Sequence, residues 1–322
     1  MAYWFLAAGV LLLLIGSEAA VRGGVGLART FGMPPLLIGI LVIASITSAP
    51  ELFVSLRAAT AGSPDIALGD IVGGSIINLL PILGLGALIR PMVSPPKVVL
   101  RDGGAMLAGS LAVVVLALTG TIARQDGLLL LAGLVVYVAL TFFTDWRRTP
   151  DHSVALASAL GRMKGEPPHT IAALFLLLFG LIVLALGAHF SVSGSVAIAR
   201  DLHLQDAFVG LTVVALGTSL PKLIFTVVAA VRGRTDVAVG HLICANVFNL
   251  FGVLGITATL MPLTVSRLLG SADVYVLAAA SAAVLPLLAM RWRLSRPRGV
   301  LLVLAYGCYL AFIVWRQGLL HL

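Results

Sequence analysis

The chain has 322 residues, of which 60% are hydrophobic and only 11% are charged, and its mean hydropathy is +1.11. Soluble globular domains carry about 25% charged residues, so this composition excludes a soluble domain and indicates a membrane protein. The formal net charge is +8, but the basic residues are spread over many loops, which argues against a nucleic-acid-binding surface.

The apolar runs predict ten membrane-spanning helices, because each run is long enough to cross the hydrocarbon core of a bilayer. A polar stretch at 145–168 divides the spans into five and five, which predicts a first five-helix repeat at 1–144, a cytoplasmic linker at 145–168 and a second five-helix repeat at 169–322. The predicted spans in chain order are 3–21, 34–61, 66–89, 103–121, 127–144, 169–190, 206–231, 237–262, 272–290 and 299–316.

The distribution of arginine and lysine predicts how the chain is oriented. If the N-terminus lies outside, fifteen of the 21 basic residues fall in inside loops, five fall outside, and Lys222 lies within a span. This bias follows the positive-inside rule and predicts a multi-pass protein of the plasma (inner) membrane with both termini outside. We expect membrane lipid and small inorganic ions as partners and no nucleic acid, while the oligomeric state stays open.

One polar pattern occurs twice, with a constant offset of 171 residues and no gap from Gly16 and Gly187 to Gly84 and Gly255. Because each half has an odd number of spans, the second half enters the membrane from the opposite side. The sequence therefore predicts an all-α membrane protein built from two inverted repeats, related by a pseudo-two-fold axis in the membrane plane. The two copies read Thr47-Ser48-Ala49-Pro50-Glu51, Asp65 and Asn78, then Thr218-Ser219-Leu220-Pro221-Lys222, Asp236 and Asn249.

The second and seventh spans each contain a Thr-Ser-x-Pro sequence followed by an ionisable residue. Proline removes a backbone donor, so we expect both helices to be broken there. Freed carbonyls and hydroxyls are hard oxygen ligands of the kind that Na⁺ and Ca²⁺ accept. A kinked helix without a binding function is the simpler alternative, but the coincidence of proline, hydroxyls and charge at matched positions favours an ion or substrate site.

These motifs resemble those of the calcium/cation antiporter superfamily, specifically the prokaryotic sodium/calcium exchanger type. Each repeat of that family carries Gly-Thr-Ser-x-Pro-Glu followed by Asp-Ile-Ala-x-Gly-Asn. The second copy matches from Gly217 to Asn249 except at Lys222 and His241, and the first has Ile46 for the leading glycine and Asp70 for the asparagine. The span count, central loop and repeats extend the resemblance over essentially the whole chain.

The resemblance implies a cation antiporter with alternating access around a midplane site between helices 2, 3, 7 and 8. It implies no cofactor other than the transported ions, which are Na⁺ and either Ca²⁺ or H⁺. Glu51, Thr47 and Thr218 are the residues it implies as direct metal ligands. Carried over by position, the ion-binding candidates are Thr47, Ser48, Glu51, Asn78, Thr218, Ser219 and Asn249.

Lys222 stands where the family has its second site glutamate, and Asp70 and His241 form a further unlike pair at matched positions. We hypothesise that Lys222 reaches Glu51 or Asp70 and acts as a tethered cation. Its repulsion of a dication, which carries two unit charges, is of order 8 kcal/mol at about 4 Å and an effective dielectric of 20, which argues against tight Ca²⁺ binding. Asp70, Gly74 and Asn78 are spaced to share one helix stripe.

Four interpretations of Lys222 remain open from the sequence. The lysine forms a structural salt bridge in a transporter with a changed substrate, or it titrates and carries protons. Alternatively, the protein no longer transports ions and is a scaffold or sensor. In the fourth interpretation the side chain snorkels away and Ca²⁺ exchange persists.

A membrane enzyme is the rival from another class of protein. Ser48 near Glu51 and Lys222 offers a faint resemblance to a Ser–Lys catalytic pair. The polar motif occurs in two matched copies, however, which transport requires and catalysis does not. The sequence therefore favours a transporter over an enzyme.

Overall fold

The computed structural model describes residues 1–31, 43–145, 169–267 and 269–318, and these are almost entirely helical. Nine helices among the described residues are long and apolar enough to cross a membrane, so the chain is an all-helical, multi-pass membrane protein. The helices are α1 Ala2–Thr30, α2 Ala44–Thr47, α3 Ala49–Thr60, α4 Pro64–Ile89, α5 Val98–Ala117, α6 Arg124–Asp145, α7 Thr170–Asp201, α8 Asp206–Val231, α9 Thr235–Leu260, α10 Val274–Ala289 and α11 Arg296–Arg316.

Nine of the ten predicted spans correspond to these membrane-length helices. The tenth, predicted at 34–61, contributes α2 and α3, and its residues 34–42 lie outside the described part of the chain. Residues 146–168 of the predicted linker also lie outside it. Within the spans, π-helical turns occur at Asn78–Ile82, Val98–Asp102, Gly210–Val214 and Phe248–Val253, and another, at Leu269–Asp273, precedes α10.

The predicted break in the second span is present at Ser48. The helix α2 ends at Thr47, Ser48 has φ −93° and ψ 0°, and α3 begins at Ala49. Pro50 therefore lies in the first turn of α3, where a missing N–H donor removes no intrahelical hydrogen bond. The break lies at Ser48, three residues before Glu51.

The prediction that the seventh span is broken was wrong, because the α-helical segment Ala215–Val231 of α8 continues through Pro221. A proline inside a helix removes one N–H donor and displaces one carbonyl, which a buried helix tolerates when neighbouring groups compensate. The irregular part of α8 lies earlier, at the π-helical turn Gly210–Val214. The two copies of the motif therefore differ in backbone as well as in charge.

α1 and α7 pack against each other in antiparallel orientation along a seam of glycines. A Cβ atom added at any of these glycines would lie 2.3–2.9 Å from a backbone nitrogen of the other helix, so only glycine permits the approach. These glycines are Gly9, Gly16 and Gly23 in α1, and Gly180, Gly187 and Gly194 in α7. In each helix they are spaced seven residues apart, and we call the six residues the glycine seam.

Within the described residues, four two-residue strands form two antiparallel ladders that join the halves of the chain. They are β1 Met92–Val93, β2 Thr121–Ile122, β3 Leu263–Thr264 and β4 Arg293–Leu294. β1 pairs with β4, and β2 pairs with β3. Exchanging the two copies of the repeat converts one ladder into the other, so each half contributes equivalent strands.

α4 and α9 form the centre of the bundle. In their most apolar stretches 83% and 89% of the residues are buried, against 22% to 56% in the other seven candidate spans. A helix that is buried on all sides cannot place polar side chains in water or lipid headgroups. The polar residues of α4 and α9 must therefore find partners inside the protein.

Candidate ion-binding site

Lys222 and Glu51 form an ion pair in the centre of the bundle. Lys222 Nζ, on α8, donates a hydrogen bond to Glu51 Oε1 in the first turn of α3. Both side chains have 0% exposure, so Lys222 does not snorkel to the membrane surface. The interpretation in which the lysine points away from the site is therefore wrong, and the contact agrees with the hypothesis that Lys222 reaches Glu51 or Asp70.

Two hydroxyl contacts flank the ion pair and are equivalent under exchange of the repeats. Thr218 Oγ1 donates a hydrogen bond to Asp70 Oδ1 at 2.7 Å. At the matched positions, Thr47 Oγ1 lies 3.0 Å from His241 Nε2. The two departures from the family pattern at Asp70 and His241 thus both engage the threonines that the resemblance implies as ligands.

Asp70 accepts a second hydrogen bond on its other oxygen. Ser55 Oγ donates to Asp70 Oδ2 at 3.3 Å and also contacts the carbonyl oxygen of Ala67 at 3.3 Å. Asp70 and Ser55 both have 0% exposure. A carboxylate with a hydroxyl donor on each oxygen is stabilised without being neutralised.

A pair of asparagines, Asn78 and Asn246, connects α4 to α9. Asn78 Nδ2 donates to Asn246 Oδ1 at 2.9 Å, and Asn246 Nδ2 donates to the carbonyl oxygen of Ser75 at 3.3 Å. Asn246 and Ser55 were not among the predicted site residues. The repeat offset could have indicated Asn246, because it matches Ser75 and both positions are polar within apolar spans.

Several buried polar atoms of the site have no protein hydrogen-bond partner in the described part of the chain. Buried polar atoms are normally satisfied by protein, water or ions, so their concentration here marks a place for polar ligands. Asn249 is the extreme case, since neither amide atom has a partner although the residue has 0% exposure. The others near the site are Ser48 Oγ, Glu51 Oε2, Ser75 Oγ, Asn78 Oδ1, Ser219 Oγ and His241 Nδ1.

The site contains both acidic and basic side chains. No group of three or more His, Cys, Asp or Glu side chains with metal-binding geometry exists among the described residues. The site instead contains two carboxylates, Glu51 and Asp70, and the ammonium of Lys222 opposite one of them.

Comparison with known proteins identifies relatives over nearly the whole chain. The profile of the family described as "Sodium/calcium exchanger protein" matches residues 1–143 and 172–315. The chain is 34% identical over 323 residues to inner membrane protein YrbG of Escherichia coli strain K12, covering 98% of this chain and 97% of that protein. It is 30% identical over 309 residues to the putative antiporter CaxA of Alkalimonas amylolytica, covering 95% and 96%.

Solved structures of the sodium-calcium exchanger NCX_Mj show a similar fold. One of them, soaked with Na⁺ and Sr²⁺, has a TM-score of 0.67 and 27% sequence identity, and covers 96% of this chain and 97% of that chain. The sodium/calcium exchanger MaX1 of Methanosarcina acetivorans is 26% identical over 344 residues, covering 97% of this chain and 98% of that protein. The relatives that are named for an activity are ion exchangers or antiporters, which are transporters and not enzymes.

Proposed function

Because the chain belongs to the sodium/calcium exchanger protein family, we propose that it is a cation antiporter working by alternating access around the buried cluster at Glu51 and Lys222. The observation that carries the proposal is that polar residues from matched positions of both halves meet at this cluster. The site lies among α2, α3, α4, α8 and α9, which correspond to predicted helices 2, 3, 7 and 8. The ions are cargo, and the chemistry requires no cofactor.

The architecture that we propose is ten spans in two inverted five-helix repeats, 1–144 and 169–322, joined by the cytoplasmic linker 145–168. Antiparallel packing of α1 against α7 supports it, because the first helices of inverted repeats run in opposite directions. The two ladders support it as well, since each pairs strands from loops that the arginine and lysine distribution assigns to one side of the membrane. In this arrangement both termini face outside.

The exchanged ions are Na⁺ or H⁺ with another ion, and Ca²⁺ is a poor substrate. The ammonium of Lys222 forms an ion pair with the Glu51 carboxylate, which would otherwise face a dication. A dication about 4 Å from that ammonium is opposed by roughly 8 kcal/mol at an effective dielectric of 20, because it carries two unit charges. Lys222 therefore acts as a tethered cation within the site.

A non-transporting scaffold or sensor is the second candidate function. The observation that favours it is that direct side-chain bonds, rather than an ion, join the halves of the site: Lys222 to Glu51, Thr218 to Asp70 and Asn78 to Asn246. A scaffold held together in this way would have a melting temperature independent of the cation present. A transporter that binds its ion in the folded state would melt at a higher temperature as that ion is added.

Ion flux in proteoliposomes tests the proposed function. The vesicles hold the purified protein with Ca²⁺ inside, and either an inward Na⁺ gradient or a pH gradient is applied. We expect Na⁺ or H⁺ flux and no Ca²⁺ movement driven by Na⁺. Protein-free vesicles and vesicles with the Glu51→Gln variant are the controls, and neither should show ion flux. Absence of any flux from the wild-type protein would overturn the antiporter proposal, whereas rapid Na⁺-driven Ca²⁺ movement would overturn the exclusion of Ca²⁺.

A further inference from the structure

Three turns between membrane-length helices meet at one end of the bundle, around the β1–β4 ladder. They are the α4–α5 turn at 90–97, the α8–α9 turn at 232–234 and the α10–α11 turn at 290–295. The ladder joins the first turn to the third, and the backbone nitrogen of Ser94 also donates to the carbonyl oxygen of Trp292 at 2.9 Å. The second turn adjoins them through Thr235, whose hydroxyl accepts a hydrogen bond from the backbone nitrogen of Val93 at 3.1 Å. Residues far apart in sequence therefore share one surface at the ends of these helices.

This end of the bundle is strongly basic. The three turns and the first three residues of α11 contain eight arginine and lysine residues and no acidic residue. The nearest acid along the chain is Asp236 on α9, which lies 4.0 Å from Arg234. The surplus of positive charge on this surface is therefore not balanced by carboxylates within the same turns.

The β2–β3 ladder, at the other end of α5, has a different charge. Its flanking residues include two arginines, Arg124 and Arg267, and two acids, Asp65 and Asp126. Both acids accept hydrogen bonds from backbone nitrogens beside that ladder, at 3.4 Å and 2.8 Å. The two ladders have the same role in the fold, so the fold alone does not account for the basic surface at β1–β4.

Two of the arginines at the basic surface have structural partners, and four do not. Arg296 donates to two carbonyl oxygens at the end of α4, and Arg298 donates to three around the end of α10, at 2.9–3.4 Å. These bonds satisfy carbonyl groups that a helix end leaves unpaired. The other four are exposed and form no side-chain hydrogen bond or ion pair within the described ranges. We call these four the arginine cluster: Arg90, Arg232, Arg291 and Arg293.

Part of the arginine cluster lies on a strained backbone. Arg291 has φ 60° and Trp292 has φ 51°, which is the left-handed region that favours glycine. In the first half of the chain, the residue directly before β2 is Gly120, with φ 77°. The second half has arginine and tryptophan where glycine would be less strained. Strain of this kind at an exposed turn indicates that the side chains have a role beyond the fold.

Apolar side chains lie next to the arginine cluster along the chain. Trp292 is exposed between two of the arginines, and tryptophan favours the boundary between hydrocarbon and headgroups. Exposed apolar residues at the helix ends directly precede the other positions: Ile89, Val231 and Met290. A surface that changes from apolar to cationic at the end of a span matches a lipid, whose acyl chains and headgroup are divided at the same depth.

From these observations we infer that the arginine cluster binds the phosphate headgroup of an anionic membrane phospholipid, whose acyl chains lie along Ile89, Val231 and Met290. Guanidinium groups bind phosphate oxygens through paired hydrogen bonds, and basic clusters between membrane helices attract anionic headgroups. Arg90 belongs to the first half of the chain and the other three arginines to the second, so the bound lipid joins the two halves. The inference goes beyond the proposed antiporter function and does not depend on which ions are exchanged.

Binding is measured on the full-length protein, delipidated in a neutral detergent, by recording the melting temperature as dioleoylphosphatidylglycerol is added. We expect the melting temperature to rise and saturate, because a ligand that binds the folded state stabilises it. Dioleoylphosphatidylcholine, whose headgroup has no net charge, should have no such effect. Sodium phosphate at matched ionic strength tests for free phosphate as the ligand. A rise with sodium phosphate equal to that with the anionic lipid, or no rise with the anionic lipid, would overturn the inference.

Paired substitutions locate the site. Arg291→Gln combined with Arg293→Gln removes two cationic donors and should raise the apparent dissociation constant for the anionic lipid at least about tenfold. The matched control combines Arg124→Gln with Arg267→Gln, because these two exposed arginines flank the β2–β3 ladder. The control should leave the lipid titration unchanged. Equal weakening by the two double variants would mean that total charge, and not the arginine cluster, governs the response.

Arg291→Gly keeps the inference testable if the double variant fails to fold. Glycine favours the backbone conformation of this residue, so the melting temperature without lipid should not fall. The response to dioleoylphosphatidylglycerol should still weaken, because one guanidinium group is lost. If the arginines serve only to orient the chain in the membrane, the purified wild-type protein and its variants should respond alike to this lipid, and the inference would be wrong. The assay measures no flux, so a failure of the antiporter proposal would leave its result unchanged.

Discussion

Lys222 is the residue on which the proposed ion selectivity depends. Its side chain is the largest that is fully buried among the described residues, and Glu51 is its carboxylate partner. Removing one partner from a buried pair typically costs about 3–5 kcal/mol, because the remaining charge is left uncompensated. Each residue of the pair therefore depends on the other. A substitution of either Glu51 or Lys222 changes both the charge of the site and the stability of the protein.

Lys222→Glu should convert the site to one that binds Ca²⁺. The substitution replaces a repulsion of order 8 kcal/mol by an attraction of similar size, so we expect the Ca²⁺ affinity to rise at least about a hundredfold. Isothermal titration calorimetry of the purified variant measures it. Lys222→Gln, which removes the charge without adding a carboxylate, is the matched control and should show a smaller gain. If Lys222→Glu binds Ca²⁺ no better than the wild-type protein, the lysine is not what excludes the ion.

The contact between Glu51 and Lys222 could be anticipated because, in the predicted inverted repeat, positions at the constant offset lie close to one axis. The sequence could not choose between Glu51 and Asp70 as the partner, since spacing along a helix does not fix the direction of a long side chain. It also could not indicate that Asn246, rather than Asn249, bonds to Asn78. Those two residues are one turn apart, and only the packing of α4 against α9 decides between them.

At the scale of single elements, α3 and α8 differ in how each helix accommodates a proline. Pro50 lies at the start of α3 and follows a break, whereas Pro221 lies within the continuous helical segment of α8. The sequence Thr-Ser-x-Pro is the same in both, so the motif alone cannot predict which helix breaks. The difference arises from the surroundings of each helix, which a sequence pattern does not contain.

The glycine seam between α1 and α7 gives a prediction about packing. In Gly16→Ala the new methyl group would lie 2.8 Å from the backbone nitrogen of Leu184, so the helices must separate. We expect a loss of about 1–3 kcal/mol in stability, seen as a lower melting temperature in detergent. Gly307→Ala, on α11, is the control: nothing lies within 4 Å of the new atom, and alanine favours helix by up to about 1 kcal/mol. Equal melting temperatures for the two variants would contradict the close approach of α1 and α7.

At the scale of the whole molecule, the hydrophobic runs were sufficient to locate the nine membrane-length helices found among the described residues. They could not locate the four short strands, because two-residue strands leave no periodic signal. The ladders that these strands form join loops far apart in sequence, such as Met92 with Leu294. Such pairings depend on how the helices of the two halves pack together in the folded protein.

Fusions at the C-terminus test the proposed orientation of the whole molecule. Because the basic residues concentrate in the loops assigned to the inside, we expect alkaline phosphatase at the C-terminus to be active and green fluorescent protein there to be dark. Fusions truncated after residue 160, within the predicted cytoplasmic linker, should give the opposite pattern and serve as the control. Fluorescence from the C-terminal fusion would mean that the orientation is inverted.

The ion pair at the centre of the protein also has a consequence for its synthesis. Glu51 and Lys222 are separated by 171 residues. At a translation rate of roughly 5–20 residues per second, Glu51 enters the membrane roughly 10 to 35 s before its partner has been made. During that interval the insertion machinery must keep the carboxylate in contact with water or protein, and the first half of the chain waits for the second before its core can close.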